Sequence, residues 1–561
     1  MTQAPASAEA PLRPADTVMR LDRLGSFHQT RLSFLRSLLR RMRAKQWSIM
    51  RQRFDIDAAG VGTAIYSVNA EGRRYSLVAF GHRLAPEKRT DRVIAEEWDA
   101  TFVLYDGAPD EASLERLRAN VPLQEAGRYL ASELILARAN RSVRLFDQVV
   151  AALAAGHQPD AAAIDATGYL MRTTAVYGNG KFGIADRDLI RDRPELNAPF
   201  RAEMLTVYLI RCFTLDLVEH LAALIGGASA ARLEATLRRR FGVGNATGLG
   251  MAPFLVKHPA LIDRWISARE TALARVRSIR NADKRSIAVF REALARSHHL
   301  LANWNTDDLK QQRRVALLRE DLVTFERFAS EAVLSGDRPF EALYRFAESS
   351  LSLECQEYAV TLIIEPHGQL VDGLADEMGI EERISFRIDG SWKCGAVKRL
   401  VEERYDYALS VDFADTEQQL ARFWYVSEEK LEPRLGERFK EEGAEREQPL
   451  TIARDIQSFI RALGETSADT FLAAFLLARP EHRHIARRVL IAARHRYSEI
   501  HDNLLSAVMR PIDILRCKLA FFGATRFDPR SDKWLRITLF QGAPFPDELH
   551  AEDSELWVYG G

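Results

Sequence analysis

Val61-Gly-Thr-Ala-Ile-Tyr-Ser-Val-Asn69 and Arg73-Arg-Tyr-Ser-Leu-Val-Ala-Phe-Gly-His82 carry the clearest strand signal of the chain. The fold class turns on how far that signal extends. β-branched and aromatic residues dominate both runs, and Asn69 and Gly72 supply a polar turn between them, so the pair reads as a β-hairpin. Trp98-Asp-Ala-Thr-Phe-Val-Leu-Tyr105 is a third strand-like run. Together they make a small antiparallel sheet, which needs a helix on one face for stability.

Upstream, residues 28–54 read as one amphipathic helix. Leu32, Leu35, Leu38, Leu39, Met42 and Ile49 fall near a 3.6-residue period, while Arg36, Arg40, Arg41, Arg43 and Lys45 occupy the other faces. A basic helix of this kind can lie on a membrane or touch phosphates, but an arginine-coated surface helix is the simpler reading.

Downstream, residues 111–335 follow a helical period almost throughout. Asp110 with Ser113 and Asp160 stand where N-caps belong, and a further helix starts near Asn140. Residues 200–225 are too apolar for a one-sided surface helix, and 284–334 read as a long, broken helical hairpin. After Gly336-Asp-Arg-Pro339 a buried helix covers 340–364, followed by strands at 384–388 and 405–413. Residues 427–448 form a charged, exposed excursion. Helices at 450–463, 468–478 and 481–509 and a loop–strand–loop tail at 527–546 complete the chain. The expected fold is therefore mainly α and multi-helical, with a small N-terminal antiparallel β-sheet and a few C-terminal strands. The expected divisions are a tail at 1–18, the basic helix and sheet at 19–110, a helical domain at 111–335 and a second at 336–561.

Composition narrows the class. At 561 residues the chain exceeds what one core usually supports. Lysine plus arginine and aspartate plus glutamate number 78 each, so no global field draws it to nucleic acid. The N-terminal run has no basic start and apolar h-region, and no window approaches the roughly eighteen apolar residues of a membrane span. Cys212, Cys355, Cys394 and Cys517 are scattered without a CxxC pair, which argues against a disulfide framework or a zinc site and for a reducing cytoplasm. No metal site is expected.

Two Gly/Asn segments stand out as chemistry. The first is Arg172-Thr-Thr followed by Tyr177-Gly-Asn-Gly-Lys-Phe-Gly183. It invites comparison with a P-loop but fails: Ala175 stands five before Gly180, Phe182 follows the lysine, and a helix precedes it. What survives is a cluster of Arg172, Thr173, Thr174, Tyr177, Asn179 and Lys181 that can grip a phosphate or carboxylate; the alternative is a helix C-cap. The second is Gly242-Val-Gly-Asn-Ala-Thr-Gly-Leu-Gly-Met-Ala-Pro253, after Arg238-Arg-Arg-Phe241. As a dinucleotide fingerprint it has Thr247 where its third glycine belongs and no preceding strand. It reads instead as a loop opening a helix, where anions bind and Asn245 and Thr247 add donors, or as a packing loop between helices.

Glu354 and Glu357 share one face of an apolar helix, where a raised carboxyl pKa would suit a general acid or base. Paired or solvated glutamates are the plainer reading, and Cys355 reads as a small core residue rather than a nucleophile. His484, Arg488, His495, Glu499 and Asp502 form a polar stripe on 481–509. Arg510, Asp513 and Arg516 alternate with apolar residues, which suits ion pairing or anion recognition.

These readings point to a cytoplasmic enzyme on a small anionic substrate, of lyase, isomerase or transferase type. Arg172, Thr173, Tyr177, Asn179, Lys181, Asn245, Thr247 and Arg510 would bind the anion, and Glu354 or Glu357 would move a proton. No nicotinamide or flavin fingerprint is present, and no motif names a cofactor. The rival expectation is a non-catalytic helical protein docking partners through charged surfaces. Nucleic acid is not an expected partner, no transmembrane segment is expected, and long apolar helices favour a homodimer.

Overall fold

The computed structural model describes residues 10–26, 28–89, 97–122, 130–175, 190, 192–248, 259–378, 387–415, 452–501, 511–530, 534–550 and 555–560. The chain forms two compact units, each assembled from three stretches. A sheet unit comprises His28–Gly248, Val276–Gly379 and Lys518–Gly561; a helical unit comprises Met1–Phe27, Leu249–Arg275 and Ile380–Cys517.

The sheet unit corrects the expected fold class. Its strands are β1 Ser48–Ile56, β2 Gly62–Ala70, β3 Arg73–Gly81, β4 Ala100–Asp106, β5 Glu133–Arg141, β6 Tyr169–Thr173, β7 Gly242–Gly248, β8 Arg526–Pro529 and β9 Trp534–Leu539. They make one nine-stranded sheet in the order β1-β2-β3-β4-β5-β6-β7-β9-β8. The protein is thus mixed α/β rather than mainly α with a small sheet. Strands β1 to β6 form an antiparallel meander. β7 then joins parallel to β6, and β9 and β8 add antiparallel beyond it.

The reason for the miss differs from strand to strand. The hairpin β2–β3 and the run that became β4 were legible because β-branched and aromatic residues crowd them. β5, Glu-Leu-Ile-Leu-Ala-Arg-Ala-Asn-Arg, is buried on nearly every residue. A strand covered on both faces loses its alternation and cannot be told from a buried helix by period. β7 is Gly-Val-Gly-Asn-Ala-Thr-Gly, with little strand propensity of its own.

β1 was hidden inside the expected 28–54 helix. That helix covers only Phe34–Ala44; Lys45 caps it, Gln46 takes φ 52°, and the chain leaves as an edge strand. Most of β1 is exposed, and Arg51 and Arg53 on it discourage pairing with another sheet.

Both sheet faces are covered. On one, the long helix Arg201–Gly226 sets Phe213 against Phe54 and Phe102, while the Tyr66 hydroxyl donates to Asp216 at 2.6 Å. On the other, Ile65, Val78, Phe80, Val103 and Leu136 pack with Leu114 and Leu117 of helix Glu111–Asn120. Asp110 caps that helix by accepting from Ser113 N, and Asp160 caps Ala161–Thr167 in the same way, as expected. No helix among the described residues is long and apolar enough to cross a membrane.

Elsewhere the helical readings shift. The 340–364 helix is two, Pro339–Ser350 and Leu353–Ile364, because Leu351 is extended and Ser352 caps the second by accepting from Cys355 N. Residues 405–413 are not a strand: Asp406–Leu409 is a helical turn, and Tyr405 is buried with its hydroxyl on Glu499. Residues 387 and 388 lie in no strand, while 384–386 and 427–448 lie outside the described residues.

Arg36, expected on a solvated face, is 2% exposed. Its guanidinium grips the Glu365 carboxylate through two bonds of 2.7 and 2.5 Å. Arg31 reaches the same carboxylate at 3.3 Å and holds Asp372 at 2.6 and 2.8 Å, and the Tyr559 hydroxyl donates to Glu365 at 3.2 Å. The helix Phe34–Ala44 is thus pinned to the chain after Leu353–Ile364 and to the C-terminal turn Glu555–Tyr559 by one buried charge cluster. His367 sits beside it, edge-on to Phe340 at 4.5 Å. Burial, aided by Arg31 and opposed by Asp283, pushes its imidazole down to about 4.

Two outcomes are expected. Glu365→Gln strips Arg36 and Arg31 of their shared counter-charge, and urea unfolding should show a loss of about 3–5 kcal/mol. The native state resists protonating His367, so stability should fall as pH drops from the unfolded-state value of about 6.5 towards about 4. In His367→Gln the slope of unfolding free energy across that window should flatten by up to about 1.4 kcal/mol per pH unit.

Candidate functional site

The junction of β6 and β7 joins the N-terminal meander to the C-terminal hairpin. Its register pairs Tyr169 with Gly242, Arg172 with Gly244 and Thr173 with Asn245, with an irregularity between Tyr169 and Arg172. That irregularity lets Tyr169 and Arg172 lean to the same side. A Cβ on Gly244 would fall 2.8 Å from both Arg172 Cγ and the Tyr169 ring. One on Gly242 would fall 2.4 Å from Leu539 O and 2.6 Å from Thr538 Cγ2. The two glycines therefore form a shelf without side chains, over which Tyr169, Arg172 and Thr538 lie.

Paired residues in neighbouring strands share a face. Following the register outward from the shelf gives one row: Asn140 on β5, Arg172 on β6, Gly244 on β7, Thr538 on β9 and Arg526 on β8. The adjacent positions on that face carry Thr101, Arg138, Arg536 and Asp528. Arg172 is 6% exposed, while Arg138, Arg526 and Arg536 are half-buried.

Four guanidinium groups thus share one sheet face. Arg138 lies over the Trp98 ring at 5.3 Å, and Arg526 donates to the Asp165 and Ala166 carbonyls at the end of helix Ala161–Thr167. Asp528 is the carboxylate set among them, 2.6 Å from Arg530. Burial nevertheless raises its pKa, against the pull of Arg530, Arg536 and Arg526.

The residues expected to bind an anion are distributed as follows. Arg172 lies on the arginine face. Thr173 and Asn245 point to the other face of the same two strands. There Asn245, fully buried, donates to Thr173 O at 2.9 Å and accepts from Lys518 Nζ at 3.4 Å. Thr173 Oγ1 accepts from Ala175 N. Thr247 lies in β7 opposite Leu535, its side chain outside the described residues, as are Tyr177, Asn179, Lys181 and Arg510. Residues 242–248 are a strand and not the expected loop at a helix start.

The expected proton carriers belong to helix Leu353–Ile364. Glu354 Oε1 lies 2.6 Å from His28 Nε2, both side chains buried, and Glu357 is fully buried. Burial beside Asp321 and Glu354 pushes the Cys355 thiol far up, the opposite of a nucleophile's environment. The stripe on 481–509 is dispersed, because the helix ends at Arg494. His484 meets Asp455, Arg488 holds Glu499 and His495 meets Asp263, while Asp502 lies outside the described residues. No group of three or more His, Cys, Asp or Glu among the described residues is placed to hold a metal ion.

Sequence reasoning passed over Tyr169, Thr538, Arg138, Arg526 and Arg536. A signal was present for some of them. Arg536 and Thr538 alternate with Leu535, Ile537 and Leu539. This is the two-residue period of a strand with a polar face. Comparison with protein-family models, with curated proteins and with solved structures gives no match.

Gly244→Ala tests the shelf. Neither Arg172 Cγ nor the Tyr169 ring is the free end of a flexible chain, so the added methyl should cost about 1–3 kcal/mol. Thermal denaturation followed by far-ultraviolet circular dichroism would report it as a lower melting temperature.

Proposed function

We propose that the protein is an enzyme acting on a small anionic substrate, a carboxylate or phosphate, taken up against the arginine-lined face of its sheet. The observation that carries this reading is the gathering of Arg138, Arg172, Arg526 and Arg536 on one face around the glycine shelf. Guanidinium groups bind planar oxyanions bidentately, and partial burial strengthens each such bond.

For the chemical step, Glu354 with His28 is the proposed proton-carrying pair, a buried carboxylate 2.6 Å from an imidazole. Lyase, isomerase or transferase chemistry is the class proposed for that pair. A cytoplasmic setting suits cysteines that are buried and in no disulfide. The rival reading, docking through the basic 28–54 surface, loses support because Arg36 turns inward to Glu365.

Calorimetric titration with inorganic phosphate and with malonate tests the proposal. Saturable uptake of at least one is expected, and Arg172→Gln and Arg536→Gln should each weaken it by roughly ten- to a hundredfold, the worth of a hydrogen bond to a charged group. Absence of uptake of both by the unmodified protein would overturn the reading.

A further inference from the structure

Two buried hydroxyls on the arginine face are left without a hydrogen-bond partner. Tyr169 is 3% exposed and Thr538 1% exposed, and neither Tyr169 Oη nor Thr538 Oγ1 is satisfied. Most other buried tyrosines differ, although the Tyr358 hydroxyl is likewise unmatched. Tyr66, Tyr75, Tyr405 and Tyr559 donate to Asp216, Glu195, Glu499 and Glu365, and Tyr208 and Tyr497 donate to backbone carbonyls. Native interiors rarely leave such groups unmet, so each unsatisfied one calls for a partner that is not protein.

Position narrows what that partner is. Both side chains lie against the glycines, the Tyr169 ring over Gly244 and the Thr538 methyl beside Gly242, with Thr538 Oγ1 turned toward Gly168 and Gln541. The register runs Arg172, Gly244, Thr538, Arg526, so Thr538 stands between the strands that carry Arg172 and Arg526, and Tyr169 lies beside Arg172 over Gly244. A hydroxyl donates its proton, and guanidinium groups on either side favour negative charge. A cation or an amine would meet repulsion here, and an apolar group would leave both hydroxyls unmet.

We infer that Tyr169 Oη and Thr538 Oγ1 are donors to the substrate's oxyanion, a carboxylate or phosphoryl group, on the arginine-lined face. The inference rests on the anion-binding reading above and adds to it the residues that orient the group. Arg172 supplies charge, and the hydroxyls supply direction.

The experiment uses the full chain with Tyr169→Phe, Thr538→Val and the double variant, each removing a hydroxyl while keeping the shape. Calorimetry with inorganic phosphate and with malonate separates the two oxyanions, and sodium chloride serves as the halide control. Each single variant should weaken the preferred oxyanion at least about tenfold. The melting temperature without ligand should stay the same or rise, since no protein bond is lost. If Arg172→Gln weakens uptake but both hydroxyl variants bind like the unmodified protein, the hydroxyls meet only water. The inference then fails, and the anion-binding reading stands. Variants that melt well below the unmodified protein would show that the hydroxyls serve the fold, which also overturns it. No uptake of either oxyanion by the unmodified protein removes the reading and the inference together.

Discussion

The pairing of β6 with β7 is the constraint on which the sheet unit depends. β1 to β6 are a local meander, and β8 and β9 are a local hairpin. One parallel junction makes them a single sheet. That junction brings residue 172 against residue 244, which no turn can do; the chain between them must leave the sheet and return. The helix Arg201–Gly226 makes that crossing and then covers one sheet face. The approach is close enough that Gly242 and Gly244 have no room for a Cβ. A loop motif read for ligand chemistry is thus first a condition of packing.

The same junction sorts the candidate site by face. Strand alternation sends Arg172 one way and Asn245 the other, although their strands are neighbours. On the Asn245 side Lys518 is fully buried against Asn245, within a helix-covered interior. On the Arg172 side the arginines of β5, β8 and β9 converge. Anion binding therefore moves from a pair of loops to a sheet face, with Arg172 common to both descriptions. The cluster at Glu365 follows a related logic: arginines that looked solvent-bound in a helical wheel are drawn inside by a carboxylate more than three hundred positions away in sequence. Breaking that cluster on one side would leave a buried charge, which costs far more than the exposed ion pairs on the surface contribute.

How much could be read in advance follows from how local each signal is. The β2–β3 hairpin, the caps at Asp110 and Asp160, and the apolar helix at 200–225 rest on neighbours within a turn or two, and they were legible. β1 was taken for helix because Met, Gln and Arg suit helices and its exposure on an edge strand is decided elsewhere. β5 lost its alternation because both faces are covered. β7 has no strand signal at all, since its glycines are chosen by what lies above them. At the site, Arg172 was found through its flanking threonines and glycines, whereas Thr538 and Tyr169 carry no motif and matter through the row they complete.

The sequence by itself determined the local elements: caps, turns, the hairpin and the long apolar helix, together with balanced charge and scattered cysteines. These depend on residues within a few positions of one another, where period and propensity act directly. Only the tertiary structure decided that the described strands join in one mixed sheet, that Arg36 is buried and that Arg172 shares a face with Arg526. Parallel pairing and face selection join positions scores to hundreds of residues apart. Their energies come from burial and register across strands, which no local window of sequence contains.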